Sequence, residues 1–144
     1  MHPHLQRTPE TETDWFEALT ALARYLRGPD GCPWDREHSA REFGVDAAGE
    51  AGELLDAFAS GDKAHIEEEF GDTFFVLLAT AAAAEAEGLF SLEHALERAH
   101  EKMIRRHEHV FGDREASTPE DAVASWNEIK AREKKGKLKG GTEN

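Results

Sequence analysis

Apolar residues recur at intervals of three and four along most of the chain, a spacing that is typical of amphipathic helices. A first helix is predicted to end at Gly28-Pro29 and to carry one apolar stripe made of Trp15, Leu19, Leu22 and Leu26. A turn-rich loop is predicted over residues 28–38. Further helices are predicted over residues 40–58 and 63–87, from Ser91 as N-cap onwards, and from Thr118 to about Glu133.

Two of these helices have apolar surfaces that need partners. The helix after Ser91 carries a stripe that we expect to face inward, made of Leu92, Leu96, Ala99 and Met103. The third helix is apolar on almost every side from Phe74 to Ala84. Because such a helix requires neighbours on more than one face, we expect it to be central or to lie in a dimer interface. A fully packed monomer would also explain it.

The pattern as a whole favours an all-α fold. No segment alternates apolar and polar residues with a period of two, and β-branched residues are scarce. The predicted architecture is a four-helix bundle with an additional C-terminal helix, dimerising through bundle helices. The all-α domain is predicted over residues 13–133. A flexible N-terminal tail, residues 1–12, precedes it, and a disordered Lys/Gly tail, residues 134–144, follows it.

Composition limits the possible environments and partners. The chain has 144 residues, enough for one domain with its own core, and Cys32 is its only cysteine, so a reducing cytoplasm is expected. No apolar run reaches the roughly 18 residues that a membrane span needs. The net charge of −13 repels polymeric nucleic acid and anionic membranes. We therefore expect neither as a partner, and a small anionic substrate would require bound metal or clustered cations.

Two acidic pairs are the candidate chemical site. Glu50 and Glu53 lie on the second predicted helix, and Glu69 and Asp72 on the third. Residues three apart are neighbours on a helix surface, so each pair directs its carboxylates into one small region. Both pairs fall within or beside the apolar stripe of their helix, whereas the carboxylates of a solvated acidic face point away from it.

Four carboxylates on the apolar side require compensation, either by protonation or by a divalent cation. A short turn joins the two helices and would place the pairs opposite each other. An all-carboxylate site without Cys or clustered His suits a hard ion, Mg²⁺ first and Mn²⁺ as a substitute. A single Glu-x-x-Glu is usually a solvated face; two such pairs on facing helices favour a metal site.

A cationic set follows along the chain. Lys102 and Arg106 lie four apart on the fourth helix, and Trp126 and Lys130 lie four apart on the fifth. Taken alone, the two cations of the fourth helix are ordinary solvated charges and Trp126 is a packing anchor. Beside a magnesium site, the cations would cover polyphosphate oxygens that the metal leaves free, and the indole would offer a flat wall.

Five sequence elements in this order resemble the MazG family of nucleoside triphosphate pyrophosphohydrolases. They are Gly31-Cys32-Pro33-Trp34-Asp35, Gly49-Glu50-Ala51-Gly52-Glu53-Leu54, Glu69-Phe70-Gly71-Asp72, the segment from Lys102 to Phe111, and Trp126-Asn127-Glu128-Ile129-Lys130. The resemblance extends from about residue 15 to residue 130. It departs from the family pattern at Gly49, where a second acid is common, and at Glu108, where proline is usual.

The resemblance implies an all-α, Mg²⁺-dependent enzyme that forms homodimers or homotetramers. It would hydrolyse nucleoside triphosphates to the monophosphate and pyrophosphate, with a possible house-cleaning role in the nucleotide pool. By the same resemblance the metal ligands would be Glu50, Glu53, Glu69 and Asp72, with Glu50 or Glu53 as catalytic base. The substrate would be contacted by Trp34, Lys102, Arg106, Trp126 and Lys130.

Alternatives remain at this point. A specialised dCTP, dUTP or phosphoribosyl-ATP pyrophosphatase would keep the same fold, and the Gly49 departure is also found in smaller relatives that prefer deoxycytidine nucleotides. A non-enzymatic sensor would bind Mg²⁺ and nucleotide without turnover. An interaction module would use the apolar third helix to bind another protein.

Overall fold

A computed structural model describes residues 7–140 of the chain. The described residues form helices and no strand, which confirms the all-α prediction. In chain order the helices are α1 (Glu12–Arg27), α2 (Pro33–Glu37), α3 (Ala40–Ser60), α4 (Lys63–Ala86), α5 (Leu92–Arg106), α6 (Glu108–Phe111) and α7 (Pro119–Gly140). Two compact units result, Met1–Leu92 and Glu93–Asn144. None of the described helices is long and apolar enough to cross a membrane.

The helix boundaries depart from the sequence prediction in three places. The predicted loop over residues 28–38 contains the short helix α2, which begins at Pro33. Proline is tolerated there because the first backbone N–H groups of a helix have no hydrogen-bond partner within the helix. The short helix α6 was not predicted. Helix α7 continues past Glu133 to Gly140, because Lys and Arg favour a helix once it has begun. Residues 1–6 and 141–144 of the predicted tails lie outside the described residues.

Helices α3 and α4 form an antiparallel hairpin with a two-residue link. Gly61 ends α3 in the left-handed region at φ 71°, a conformation that glycine adopts without a steric penalty. The next residue, Asp62, begins α4 by accepting hydrogen bonds at Oδ1 from the N–H groups of Ala64 and His65, at 3.1 and 3.4 Å. One residue thus ends a helix and the next begins another, so the chain reverses sharply.

Small residues allow α3 and α4 to pack closely at the end of the hairpin that lies away from the two-residue link. Ala79, Ala83 and Ala84 of α4 pack against Ala40 and Phe43 at the beginning of α3, and all five are buried. Alanine has no side-chain rotamer entropy to lose and allows the two helix backbones to approach each other. The alanine run of the sequence is therefore the inner surface of the hairpin.

Helix α1 covers another side of α4. Ala23 packs with Leu78 and Ala82 in a second buried cluster, against which Phe16 and Leu19 also lie. Of the predicted stripe on α1, Leu19 packs against this cluster and Trp15 is exposed, whereas Phe16 and Ala23 were not part of the prediction. A bidentate ion pair holds the same helices together: Arg24 donates to both carboxylate oxygens of Glu85, at 3.0 and 3.1 Å.

The link between α1 and α2 depends on one glycine. A Cβ at Gly31 would lie 2.3 Å from the carbonyl oxygens of Tyr25 and Leu26, so no other residue fits without moving the backbone. The neighbouring N–H of Cys32 donates to the Leu26 carbonyl at 2.7 Å. This close approach brings α2 back along the end of α1 and fixes the position of Trp34.

In the second unit, ion pairs join α5 to α7. Glu133 accepts from Arg105 Nε at 2.6 Å and from Arg106 Nη2 at 2.8 Å. These guanidinium groups lower the pKa of Glu133 to about 2, Arg106 having the larger effect. The carboxylate is therefore charged in the folded state over the whole physiological range, and one glutamate pairs with two arginines, which leaves a net charge of +1 on the three side chains.

The inward-facing stripe predicted for α5 was only partly right. Leu92 packs against the α1–α4 cluster, but α5 has no fully buried residue, and Leu96 and Met103 are 49% and 39% exposed. A single chain supplies too few partners in the described region to cover this stripe. Exposed apolar side chains in a row are a common feature of surfaces that bind other chains.

We expect Glu133→Gln to destabilise the protein at pH 7 by about 1 kcal/mol, because it removes the charged partner of two arginines. A carboxyl with a lowered folded-state pKa stabilises fully above its unfolded pKa and loses this contribution as pH falls towards about 2. The wild type should therefore lose stability between about pH 4.5 and 2 more steeply than the variant. Urea unfolding at several pH values measures both effects.

The matched control is Glu101→Gln, a change at an exposed position of α5 that forms no ion pair with other described residues. It should leave the acid slope as in the wild type. An identical slope in Glu133→Gln would show that the ion pairs do not contribute to acid sensitivity.

Candidate metal centre and adjoining pocket

Three of the four predicted metal ligands meet between α3 and α4. One carboxylate oxygen from each of Glu50, Glu69 and Asp72 lies within 4.8 Å of the others. Glu50 comes from the middle of α3, and the other two come from successive turns of α4. The hairpin brings them together because an antiparallel pair with a short link places the middle of one helix opposite the first half of the next.

Glu53 lies beside this group of three carboxylates rather than within it. It forms a side-chain hydrogen bond with Glu50, which is the largest cause of a raised pKa at Glu50. Burial raises that pKa further, and so does repulsion from Glu53, Asp72 and Glu69. All four predicted acidic residues therefore interact, and these contacts oppose the charged form of Glu50.

Two oxygen atoms of the cluster are buried without a hydrogen-bond partner, Oε2 of Glu50 and Oε2 of Glu69. The other oxygen of Glu69 faces Nε2 of His65 at 3.4 Å, one turn earlier on α4. Buried carboxylate oxygens without a donor are costly, and a hard divalent cation compensates them through direct coordination. The donor set fits Mg²⁺ or Mn²⁺, since every ligand atom in the group is a carboxylate oxygen.

A pocket of about 550 Å³ adjoins the acidic cluster. Glu50 and Glu53 line one part of it, and the rings of Trp34, Phe43 and Phe75 supply much of its apolar wall. Trp34 is 57% exposed, so a large part of its indole remains open to a ligand. The aromatic wall can pack against a flat apolar group of a ligand, and a cation in the neighbouring acidic cluster could bind an anionic group of the same ligand.

His38 organises the aromatic side of the pocket. Its ring stacks on Trp34 with centroids 4.1 Å apart and meets Phe43 edge-on at 4.4 Å. Its Nε2 lies 2.7 Å from Oδ2 of Asp46, and its Nδ1 lies 3.2 Å from Oε2 of Glu42. One imidazole thus connects α2 to two carboxylates of α3.

The sequence analysis did not identify His38 or Asp46 as site residues. Asp46 lies one turn before Glu50 on α3, a spacing that places both on the same face of the helix. That spacing was a usable signal for Asp46. The stacking of His38 on Trp34 depends on the bend after Gly31, which periodicity does not reveal.

The predicted substrate-contacting residues of α5 and α7 lie in the second unit. The guanidinium of Arg106 lies 5.1 Å from the Trp126 ring centroid and pairs with Glu133, so its side chain is only 11% exposed. Lys102 and Lys130 are exposed and form no ion pair within residues 7–140. The sequence analysis did not identify Glu133, the residue that orients Arg106.

Comparisons with known proteins identify the family of this chain. The family profile described as the MazG nucleotide pyrophosphohydrolase domain matches residues 45–111. The chain is 36% identical to the nucleoside triphosphate pyrophosphohydrolase/pyrophosphatase MazG of Thermotoga maritima, over 83% of this chain and 45% of that protein. It is 34% identical to the nucleoside triphosphate pyrophosphohydrolase of Escherichia coli K12, over 83% and 46% respectively. It is 38% identical to YabN of Bacillus subtilis, over 83% and 24%.

The chain therefore spans less than half the length of these curated relatives. A solved structure matches more completely: that of a MazG-related protein from Thermotoga maritima superimposes with a TM-score of 0.67 and 31% identity. The match covers 80% of this chain and 98% of that one. With this identity over nearly the whole of a related structure, and with the family profile on the segment that contains the acidic cluster, the chain belongs to the MazG family.

Proposed function

We propose that this protein hydrolyses nucleoside and deoxynucleoside triphosphates to the monophosphate and pyrophosphate with Mg²⁺ as cofactor. The observation that carries the proposal is the group formed by Glu50, Glu69 and Asp72, two of whose buried oxygens have no hydrogen-bond partner. Family membership supports the reaction class. We further propose that it acts in the cytoplasm, where it removes surplus or aberrant triphosphates.

The acidic cluster would hold the metal through Glu50, Glu69 and Asp72, with Glu53 beside them. The chemistry that bound Mg²⁺ supplies is positive charge, which polarises the phosphoryl oxygens and offsets the charge of the leaving pyrophosphate. Deprotonated carboxylates are required for this, so the raised pKa of Glu50 returns towards its ordinary value once a cation is present.

The proposed reaction is the attack of one water molecule on the α-phosphorus. A bond forms between the water oxygen and this phosphorus, and the bond to the oxygen bridging towards the β-phosphorus breaks. Glu53 is our candidate to accept the water's proton, since it contacts Glu50 but lies outside the group of three converging ligands. The products are the nucleoside monophosphate and pyrophosphate.

The remaining proposed roles concern substrate binding. The pocket beside Glu50 would take the nucleoside, with its base against Trp34. Lys102, Arg106 and Lys130 would bind phosphate oxygens, and Trp126 would hold Arg106 by stacking. Arg106 can contribute to this because Glu133 occupies only one edge of its guanidinium, through Nε and Nη2.

We also propose that the protein is a homodimer or a homotetramer. The α3–α4 hairpin leaves large apolar side chains in solvent, among them Leu55, Phe58, Phe70 and Leu77, each more than half exposed. Exposed apolar area of this extent is costly in a monomer and is typical of an interface. A dimer interface is one of the positions expected from the sequence for the third predicted helix, which corresponds to α4.

Turnover should depend on Mg²⁺ and on Glu69. Purified protein with a panel of ribo- and deoxynucleoside triphosphates should release pyrophosphate rather than orthophosphate, and EDTA should abolish the release. Glu69→Ala should reduce kcat by at least about a hundredfold, because a lost metal ligand lowers both metal affinity and transition-state stabilisation.

Glu68→Ala is the matched control, since Glu68 neighbours Glu69 but is exposed and outside the acidic cluster. It should retain wild-type turnover. Absence of pyrophosphate from every triphosphate, in folded protein with Mg²⁺ present, would refute the proposed reaction.

Metal binding should be detectable without turnover. Mg²⁺ or Mn²⁺ should raise the Tm of the wild type by several degrees, because a ligand that binds the folded state stabilises it. Glu50→Gln should raise the Tm of metal-free protein, since it removes a carboxylate repelled by three others, and should abolish most of the metal-dependent increase. Differential scanning calorimetry measures both.

The control for this experiment is Asp56→Asn, an exposed change on α3 outside the cluster. It should show the full metal-dependent increase. A Glu50→Gln variant that responds to Mg²⁺ as the wild type does would exclude Glu50 as a ligand.

Leu55→Glu should shift the protein towards monomer, because it places a charge on the exposed apolar surface of α3. Lys63→Gln makes the same unit change in charge at an exposed polar position and should leave the assembly intact. Sedimentation velocity at micromolar concentration distinguishes the species. A monomeric wild type would refute the proposed assembly.

A further inference from the structure

Apart from Trp34, whose indole N–H is a donor, the polar side chains that line the pocket beside Glu50 are carboxylates, namely Asp35, Asp46, Glu50 and Glu53. Among the described residues, no Lys, Arg, Asn, Gln, Ser or Thr side chain lines it. Ionised carboxylates only accept hydrogen bonds. A polar ligand group that contacts these carboxylates must therefore be cationic or a hydrogen-bond donor, and a carbonyl oxygen beside one of them would face like partial charges.

Three of the four carboxylates divide between two parts of the pocket. Glu50 and Glu53 belong to the acidic cluster, which the proposed function assigns to the metal. Asp46 lies one turn before Glu50, and its partner His38 stacks on Trp34, so it belongs to the aromatic part. A base resting on Trp34 therefore has in the same pocket an acceptor, Asp46, that is anchored by the imidazole stacked on Trp34.

Asp46 is held in place by one of its two oxygens. Its Oδ2 lies 2.7 Å from Nε2 of His38, whose ring is fixed between Trp34 and Phe43. Among the described residues, the second oxygen has no hydrogen-bond or ion-pair partner, so it remains able to accept from a ligand. An acceptor that is oriented before the ligand arrives discriminates better than a mobile one, because less ordering is needed on binding.

We propose that this pocket selects nucleotides whose base carries an exocyclic amino group, with Asp46 accepting a hydrogen bond from that group. This inference rests on the proposed function and names its substrate class: cytosine and adenine nucleotides over their oxo counterparts, uracil and hypoxanthine. In each pair the exchange of amino for oxo replaces a donor by an acceptor at the same position. The carboxylate then faces a carbonyl oxygen and neither is satisfied.

The test compares kcat/KM for CTP against UTP and for ATP against ITP, with pyrophosphate release as the readout. In the wild type we expect each amino-bearing substrate to be preferred by at least about tenfold, a ratio within reach of one hydrogen bond to a charged acceptor. Asp46→Asn should bring both ratios towards one, because an amide can present either its oxygen or its NH₂ group. Loss of folding would lower both members of a pair alike and leave the ratio unchanged.

Asp56→Asn is the control, since it makes the same chemical change on α3 outside the pocket, and it should keep the wild-type ratios. Equal hydrolysis within both pairs by the wild type would overturn the inference while leaving the proposed function intact. An undiminished preference in Asp46→Asn would overturn the role of Asp46. If no triphosphate is hydrolysed, the proposed function fails, and calorimetric binding of CMP against UMP then decides the inference: equal affinities overturn it.

Discussion

Repulsion among four carboxylates is the constraint on which the rest of the structure depends. Glu50, Glu53, Glu69 and Asp72 are held close together, and the hydrogen bond with Glu53, burial and repulsion from the other carboxylates all raise the pKa of Glu50. Only a rigid frame keeps like charges at this distance. The frame is the α3–α4 hairpin, with Gly61 and Asp62 at the closed end and alanine packing at the open end. A bound cation would attract all four carboxylates and so offset their mutual repulsion. The hairpin that keeps the carboxylates close would therefore also form the metal-binding site.

The aromatic side of the site depends on a second local constraint. Only glycine fits at Gly31, and the close approach there brings α2 back so that Trp34 reaches His38 and Phe43. His38 in turn holds Asp46, one turn from Glu50. The acidic cluster and the aromatic wall are therefore joined through α3, and a ligand in the pocket would contact both.

In the second unit, the electrostatic constraint is the repulsion between two neighbouring arginines. Arg105 and Arg106 are adjacent cations, and Glu133 pairs with both while the ring of Trp126 lies against the guanidinium of Arg106. An arginine held in this way has lost most of its rotamer freedom before any ligand binds, which lowers the entropy cost of recognising a phosphate. Lys102 and Lys130 are exposed and form no ion pair with other described residues. Binding a phosphate would therefore require more ordering of these lysine side chains than of Arg106.

The sequence by itself was sufficient for the all-α class and for most helix boundaries, because these depend on local periodicity and capping. The i,i+3 spacing also singled out the four acidic residues, whose role as metal ligands stays a prediction. The sequence was insufficient for the short helices α2 and α6, for the exposed stripe of α5 and for the continuation of α7 to Gly140. The convergence of Glu50 with Glu69 and Asp72, the pairing of His38 with Asp46 and the capture of Arg106 by Glu133 were decided by tertiary structure. Each of them joins residues on different helices or across a bend, and their distance depends on how the backbones pack rather than on any spacing along the chain.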